Sequence, residues 1–191
     1  MSRSDRFDRG DFAPRYAESA ARLTTASVGS ASAQDSSRAP KLMWPIAFAQ
    51  LQRVGESVLA DRDGRGRPHK GIDLFAPAGT QVLSAVDGEV LRVVDGRAGA
   101  SNSQRRAGVF VDVRGADALI YRYLHLGGAS VRAGDTVLAG APLGTVAAAH
   151  SSGLGSVPHL HFEIAESDFE RARGDYGPRR DPLRLLPPRQ A

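Results

Sequence analysis

The stretch that decides the fold is Gln81–Val94, QVLSAVDGEVLRVV. Two runs rich in Val and Leu flank Asp87-Gly88, and an Asp-Gly pair in that setting predicts a β-hairpin, since both residues tolerate the positive φ of a tight turn. The same grammar continues along the chain. GVFVDV (Gly108–Val113) and ALIYRYLHL (Ala118–Leu126) flank RGAD and predict a second hairpin. VRAGDTVLAGAPLGTV (Val131–Val146) predicts two further short strands with Gly-bearing turns, and HLHFEI (His159–Ile164) a last one. The polar stretch from Asp95-Gly96 to Ala107 reads as a long loop, and Ala147–Pro158 as a small-residue loop. Helix is expected only over Ser167–Arg173, where Ser167 and Glu170 make a capping box and Gly174 supplies a stop. The expected fold is all-β and antiparallel over residues 43–188, after a disordered or linker segment over 1–42 and before a tail over 189–191.

Composition narrows the chemistry. A chain of 191 residues fits one domain with an extension. Within residues 1–40 the aliphatic branched side chains are Leu23 and Val28, too few to offset the entropy of ordering by burial. No run has the apolar length of a signal-peptide core or of a membrane span, so neither an export signal nor a spanning helix is readable. The 25 Lys+Arg are interspersed with 21 Asp+Glu and form no patch, so nucleic acid is not an expected partner. The oligomeric state is not legible. There is no cysteine, which excludes disulfides, Cys-ligated zinc, iron–sulfur clusters and a thiol nucleophile. Any metal must be held by His, Asp or Glu, and the five histidines (His69, His125, His150, His159 and His161) become the residues to follow.

In PHLHFEIAE, alternation puts Leu160, Phe162 and Ile164 on one face and His159, His161 and Glu163 on the other. The apolar face belongs in a core. Two histidines about 7 Å apart along one strand face can converge on one centre, or can simply be exposed. His69 and Asp73, in RPHKGIDLF, would stand about 13 Å apart in an extended chain, too far for a shared metal unless the backbone bends. Gly71 permits such a bend. A hydrolytic zinc site takes three protein ligands and leaves one position for water. His69, Asp73 and one histidine of the H-x-H pair supply that set. The other histidine and His125 remain for proton transfer and for stabilising the transition state.

These motifs resemble those of the lysostaphin- and LytM-type zinc metallopeptidases, which cut peptides of bacterial peptidoglycan. The resemblance runs from WPI (Trp44–Ile46) through HKGIDLFAPAGTQVLSAVDGEV, YRYLHL and VRAGDTVLAGAPLG to PHLHFEI and DPLRLL. It implies the family's duplicated β-sheet core (the duplicated hybrid motif), with long loops lining a peptide groove. It implies His69, Asp73 and His161 as ligands of Zn2+, and His125 and His159 as catalytic groups beside the reacting water. The implied substrate is peptidoglycan peptide, and the implied place of action is extracytoplasmic or in the cell envelope. Two departures concern the groove: Ser156-Val157-Pro158 stands where relatives usually have Gly-Pro, and Gly96–Ala107 resembles an insertion.

Two other functions fit parts of the chain. One is a non-catalytic wall-binding module or an activator of other wall hydrolases, but such relatives generally lose metal-site residues and here all five positions are filled. The other is a biotinyl- or lipoyl-type carrier, which VRAGDTVLAGAPLG resembles. A carrier needs a lysine at its turn, and neither Lys41 nor Lys70 fits. His150 reads as a loop residue. Glu163 reads as support for the H-x-H pair or as a solvated or Arg-paired carboxylate. Tyr121 and Tyr123 alternate onto the face of His125, as groove wall or as packing.

Overall fold

The structure is a computed structural model in which residues 42–55, 68–99, 101–153, 155–168 and 176–189 are described. Among these the strands are β1 (Arg53–Val54), β2 (Ile72–Phe75), β3 (Gln81–Leu83), β4 (Gly88–Asp95), β5 (Val109–Gly115), β6 (Ile120–Ala129), β7 (Thr136–Val137), β8 (Pro142–Val146), β9 (His159–Ala165) and β10 (Arg179–Arg180). Two short helices are α1 (Asn102–Ala107) and α2 (Pro182–Leu185). The strands join in the order β1-β2-β9-β6-β5-β4-β7, with β10 also beside β9 and β8 linking β6 to β3. Every ladder described is antiparallel, as the sequence predicts.

The period-two pattern of β9 places the core. Leu160, Phe162 and Ile164 are fully buried together with Leu74 of β2, Tyr121 and Tyr123 of β6, and Val111 and Val113 of β5. Val82, Leu143 and Val146 from β3 and β8 belong to the same core, as do Trp44 and Ile46. Emptying one large side chain here, Phe162→Ala for instance, costs about 3–5 kcal/mol. The Trp44 indole N–H donates to the carbonyl of Pro187 at 2.9 Å, tying the first described segment to the last.

The RGAD hairpin forms as expected: Val113 pairs with Tyr121, and Ala118 N–H donates to the carbonyl of Gly115. The Asp87-Gly88 hairpin does not. β3 pairs with β8, while β4 pairs with β5 and β7, so the dipeptide links strands with different partners. The Asp87 carboxylate accepts the N–H of Ala139 at 2.7 Å. Gly88 is needed for close approach instead of for a turn, because a Cβ there would stand 2.2 Å from the carbonyl oxygen of Arg114.

Helix also departs from expectation. The polar stretch ending at Ala107 contains α1, with Ser101 as N-cap and a reciprocal capping box to Gln104. No α1 residue is buried, so the segment carries no apolar period. Asp181 caps α2, and Pro182 occupies its first turn, where a missing N–H costs nothing. The helix expected over Ser167–Arg173 lies outside the described residues beyond Asp168.

Candidate metal centre

Three adjacent strands carry the site. β9 runs between β2 and β6, and His161 is the direct cross-strand partner of Asp73 on one side and of Leu124 on the other. His69 lies just before β2. Gly71 lets the chain return over β9: a Cβ there would stand 2.1 Å from the Phe162 carbonyl oxygen. The bend brings the His69 ring and the Asp73 carboxylate together, Nε2 to Oδ1 at 3.3 Å.

The donor atoms of three buried side chains converge. His161 Nδ1 stands 2.8 Å from Asp73 Oδ1 and 3.1 Å from His69 Nε2. Ligands about 2.0–2.2 Å from a tetrahedral zinc lie roughly 3.3–3.5 Å from one another, so opening these gaps by a few tenths of an ångström gives a metal-sized cage. Two imidazoles and one carboxylate are also a donor set that zinc accepts. The residues present fit such an ion.

His125 reaches the site through a bulge. Two residues of β6, Leu124 and His125, oppose one of β5, and His125 has φ of 64°. The bulge reverses the alternation: Tyr121 and Tyr123 stay in the core, His125 turns to the other face, and Leu126 returns to the core. The sequence reading that put both tyrosines on the face of His125 is therefore corrected. Tyr121 donates to Asp117, and the Tyr123 hydroxyl accepts the N–H of Ala85, so both are packing residues.

The His125 ring lies 4.9 Å from that of His159 and 5.8 Å from that of His161, centroid to centroid. His125 Nδ1 donates to the Ala107 carbonyl at 3.2 Å, and His159 Nδ1 to the Val157 carbonyl at 2.7 Å. Each bond selects the tautomer whose lone pair is on Nε2. His159 Nε2 points inward, 3.8 Å from Asp73 Oδ1. Gly153, with φ of +67°, lies against His125, and Gly155 lies against His159. All five expected residues are thus brought together, and His150 lies apart in an exposed turn with φ of 60°.

Behind the site, Glu163 both supports the H-x-H pair and pairs with arginine, and it belongs to a row of charges that sequence reasoning missed. His161 Nε2 donates to Glu163 Oε1 at 3.1 Å, while Glu163 Oε2 accepts from Arg122 and Arg179 at 2.7 and 2.9 Å. Arg122 also donates to Asp112, which accepts from Arg92 and from the Tyr176 hydroxyl. The Arg122 guanidinium stacks 3.8 Å above the Tyr176 ring. Burial works against ionisation of Glu163, but its bond with His161 and the charges of Arg122 and Arg179 outweigh burial and hold the carboxyl well below the usual range. The available signal was one charged residue inside each of four apolar strand runs: Arg92, Asp112, Arg122 and Glu163.

The antiparallel sheet is the fold of lysostaphin-type peptidase domains. The catalytic domain of the antimicrobial peptidase lysostaphin from Staphylococcus simulans superimposes with a TM-score of 0.58 at 26% identity, over 70% of this chain and 91% of that one. Residues 67–173 match Peptidase family M23, and the chain belongs to that family. Among curated relatives, cell division protein DipM of Caulobacter vibrioides is 34% identical over 124 residues, 65% of this chain and 18% of DipM. Peptidoglycan DD-endopeptidase ShyC of Vibrio cholerae is 34% identical over 103 residues, 53% of this chain and 21% of ShyC. The chain thus spans about a fifth of the length of these two relatives.

Proposed function

We propose that this protein is a zinc-dependent endopeptidase that hydrolyses cross-link or stem peptides of bacterial peptidoglycan. The observation that carries the reading is the convergence of His69 Nε2, Asp73 Oδ1 and His161 Nδ1 beside two further histidines. His69, Asp73 and His161 hold the metal. When bound, zinc supplies Lewis acidity, polarising the scissile carbonyl and making water a better nucleophile near neutral pH.

The chain's own residues do the rest. Asp73 brings a negative charge to a centre otherwise built from neutral imidazoles. His159 and His125 each hold a lone pair on Nε2, because Nδ1 of each ring is spent on a backbone carbonyl. One ring accepts the proton of the attacking water and returns it to the leaving amine, and the other donates to the oxyanion once protonated. The backbone bonds also fix ring rotation, so neither histidine must be ordered as substrate arrives.

This substrate lies outside the cytoplasmic membrane, so the reading includes an extracytoplasmic or envelope site of action. Among the described residues no helix is long and apolar enough to cross a membrane. Purified peptidoglycan sacculi digested with the protein, with mass identification of released peptides, test the reading. Zinc-dependent release of cross-link or stem fragments is expected. Binding of sacculi and zinc with no peptide released would establish the wall-binding alternative instead.

A further inference from the structure

The geometry points to Glu163 as a positioning residue that presents His161 to the metal through Nδ1, held in place by a row of alternating charge across four strands that is buried except for Arg92 at its outer end. This rests on the proposed metal site. Glu163 of β9, Arg122 of β6, Asp112 of β5 and Arg92 of β4 are successive cross-strand partners, so sheet register alone lines up carboxylate, guanidinium, carboxylate and guanidinium. Each junction is closed by a hydrogen bond of 2.7–3.1 Å. Arg179 and the Tyr176 hydroxyl add one contact each, to Glu163 and to Asp112.

The two oxygens of Glu163 have separate tasks. Oε2 takes both arginines, which leaves Oε1 to accept the Nε2–H of His161. An imidazole that donates from Nε2 keeps its lone pair on Nδ1, the atom aimed at Asp73 and His69. With a metal taking the Nδ1 lone pair, the bond to Glu163 holds the proton on Nε2, fixes the ring plane and makes Nδ1 a stronger donor. Isolated buried ion pairs add little to stability, since desolvation offsets their attraction. A row that ends on a candidate ligand has a use beyond stability: a carboxylate anchored on its far side cannot rotate into the centre and compete as a ligand.

The test is zinc affinity of the metal-free full-length chain, measured by competition with a chromophoric chelator, for wild type and Glu163→Gln. The variant keeps side-chain length but loses the charge that anchors the row. Affinity lower by about 10–100-fold, with the strand signal in circular dichroism retained, is the expected result. A variant that binds zinc within twofold of wild type overturns the positioning role, even if it melts earlier, because a purely structural role moves melting and not affinity. If Glu163→Gln does not fold, nitrogen-15 NMR of histidine-labelled, zinc-loaded wild type decides. One ring bound through Nδ1 with an exchange-protected proton on Nε2, and another bound through Nε2, supports the inference. Two rings both bound through Nε2 overturns it. Wild type that takes up no zinc sinks the metal-site reading itself, an outcome distinct from tight binding by both proteins.

Discussion

Asp73 and His161 are direct partners across the β2–β9 ladder, with carboxylate Oδ1 and imidazole Nδ1 2.8 Å apart. The pair is a product of register. Side chains opposite each other on neighbouring strands have Cβ atoms about 4.5–5.5 Å apart, the spacing at which a carboxylate and an imidazole meet at their tips. A slip of one residue would send His161 to the core face and Phe162 into the site. The same register that buries Phe162 therefore brings together two of the three candidate ligands.

Asp73→Ala removes the one carboxylate of the proposed ligand set. Zinc measured by elemental analysis after dialysis should fall from about one per chain toward zero, and peptide release from sacculi should fall with it. Thermal unfolding gives an independent reading. Zinc at 100 times its dissociation constant should stabilise wild type by about 2.7 kcal/mol, and Asp73→Ala should show almost none of that shift. Equal zinc content in both proteins would overturn the ligand assignment.

His125→Ala and His159→Ala should behave differently. Both residues sit beside the cluster, with Nδ1 bonded to a backbone carbonyl. Removing either should leave zinc content near wild type and lower turnover by about 10²–10⁴-fold, the usual contribution of a general acid or base. Loss of zinc in the His159 variant would reassign that residue to the ligand set.

Gly153 tests how His125 is held. It has φ of +67°, and an added Cβ would lie 2.3 Å from His125 Nδ1. Gly153→Ala should cost about 1–2 kcal/mol for the left-handed conformation alone and lower activity by displacing the ring, with zinc retained. Gly128→Ala is the control, because an added Cβ there meets nothing within 4 Å. Its melting and peptide release should stay close to wild type.

Gly71 makes a stricter demand. An added Cβ would lie 2.1 Å from the Phe162 carbonyl oxygen, which is backbone and cannot swing aside. Gly71→Ala should pry β2 from β9, lowering both the unfolding midpoint and zinc affinity. A variant that melts and binds zinc like wild type would show that the bend bringing His69 to Asp73 does not depend on this close approach.

The sequence reading succeeded where the information was local. Alternation in β9 separated Phe162 from His161, and RGAD specified a turn whose two strands do pair. It failed where the partner was distant. Asp87-Gly88 has hairpin chemistry, but β3 finds β8, and no local signal reports a strand some sixty residues away. Strict alternation put His125 with Tyr123, because a bulge is set by the neighbouring strand. α1 was announced by Ser101 and Gln104 but buries nothing, so its capping box had no apolar period to support it. Arg92, Asp112 and Arg122 each look like a solvated position on a half-exposed strand, and Glu163 reads as support for the H-x-H pair or as a solvated or Arg-paired carboxylate. Their charges make sense only when four strands lie side by side.

The hydrogen bond from Trp44 to Pro187 has a consequence for architecture. It places the described segments around Trp44 and Pro187 next to each other, closed by one indole. A unit with adjoining ends can be spliced into a longer polypeptide, or moved to another host chain, as a cassette that leaves the flanking parts in line. The bond also makes Trp44 a fluorescent reporter of that junction, so separation of the two ends could be followed optically without a label.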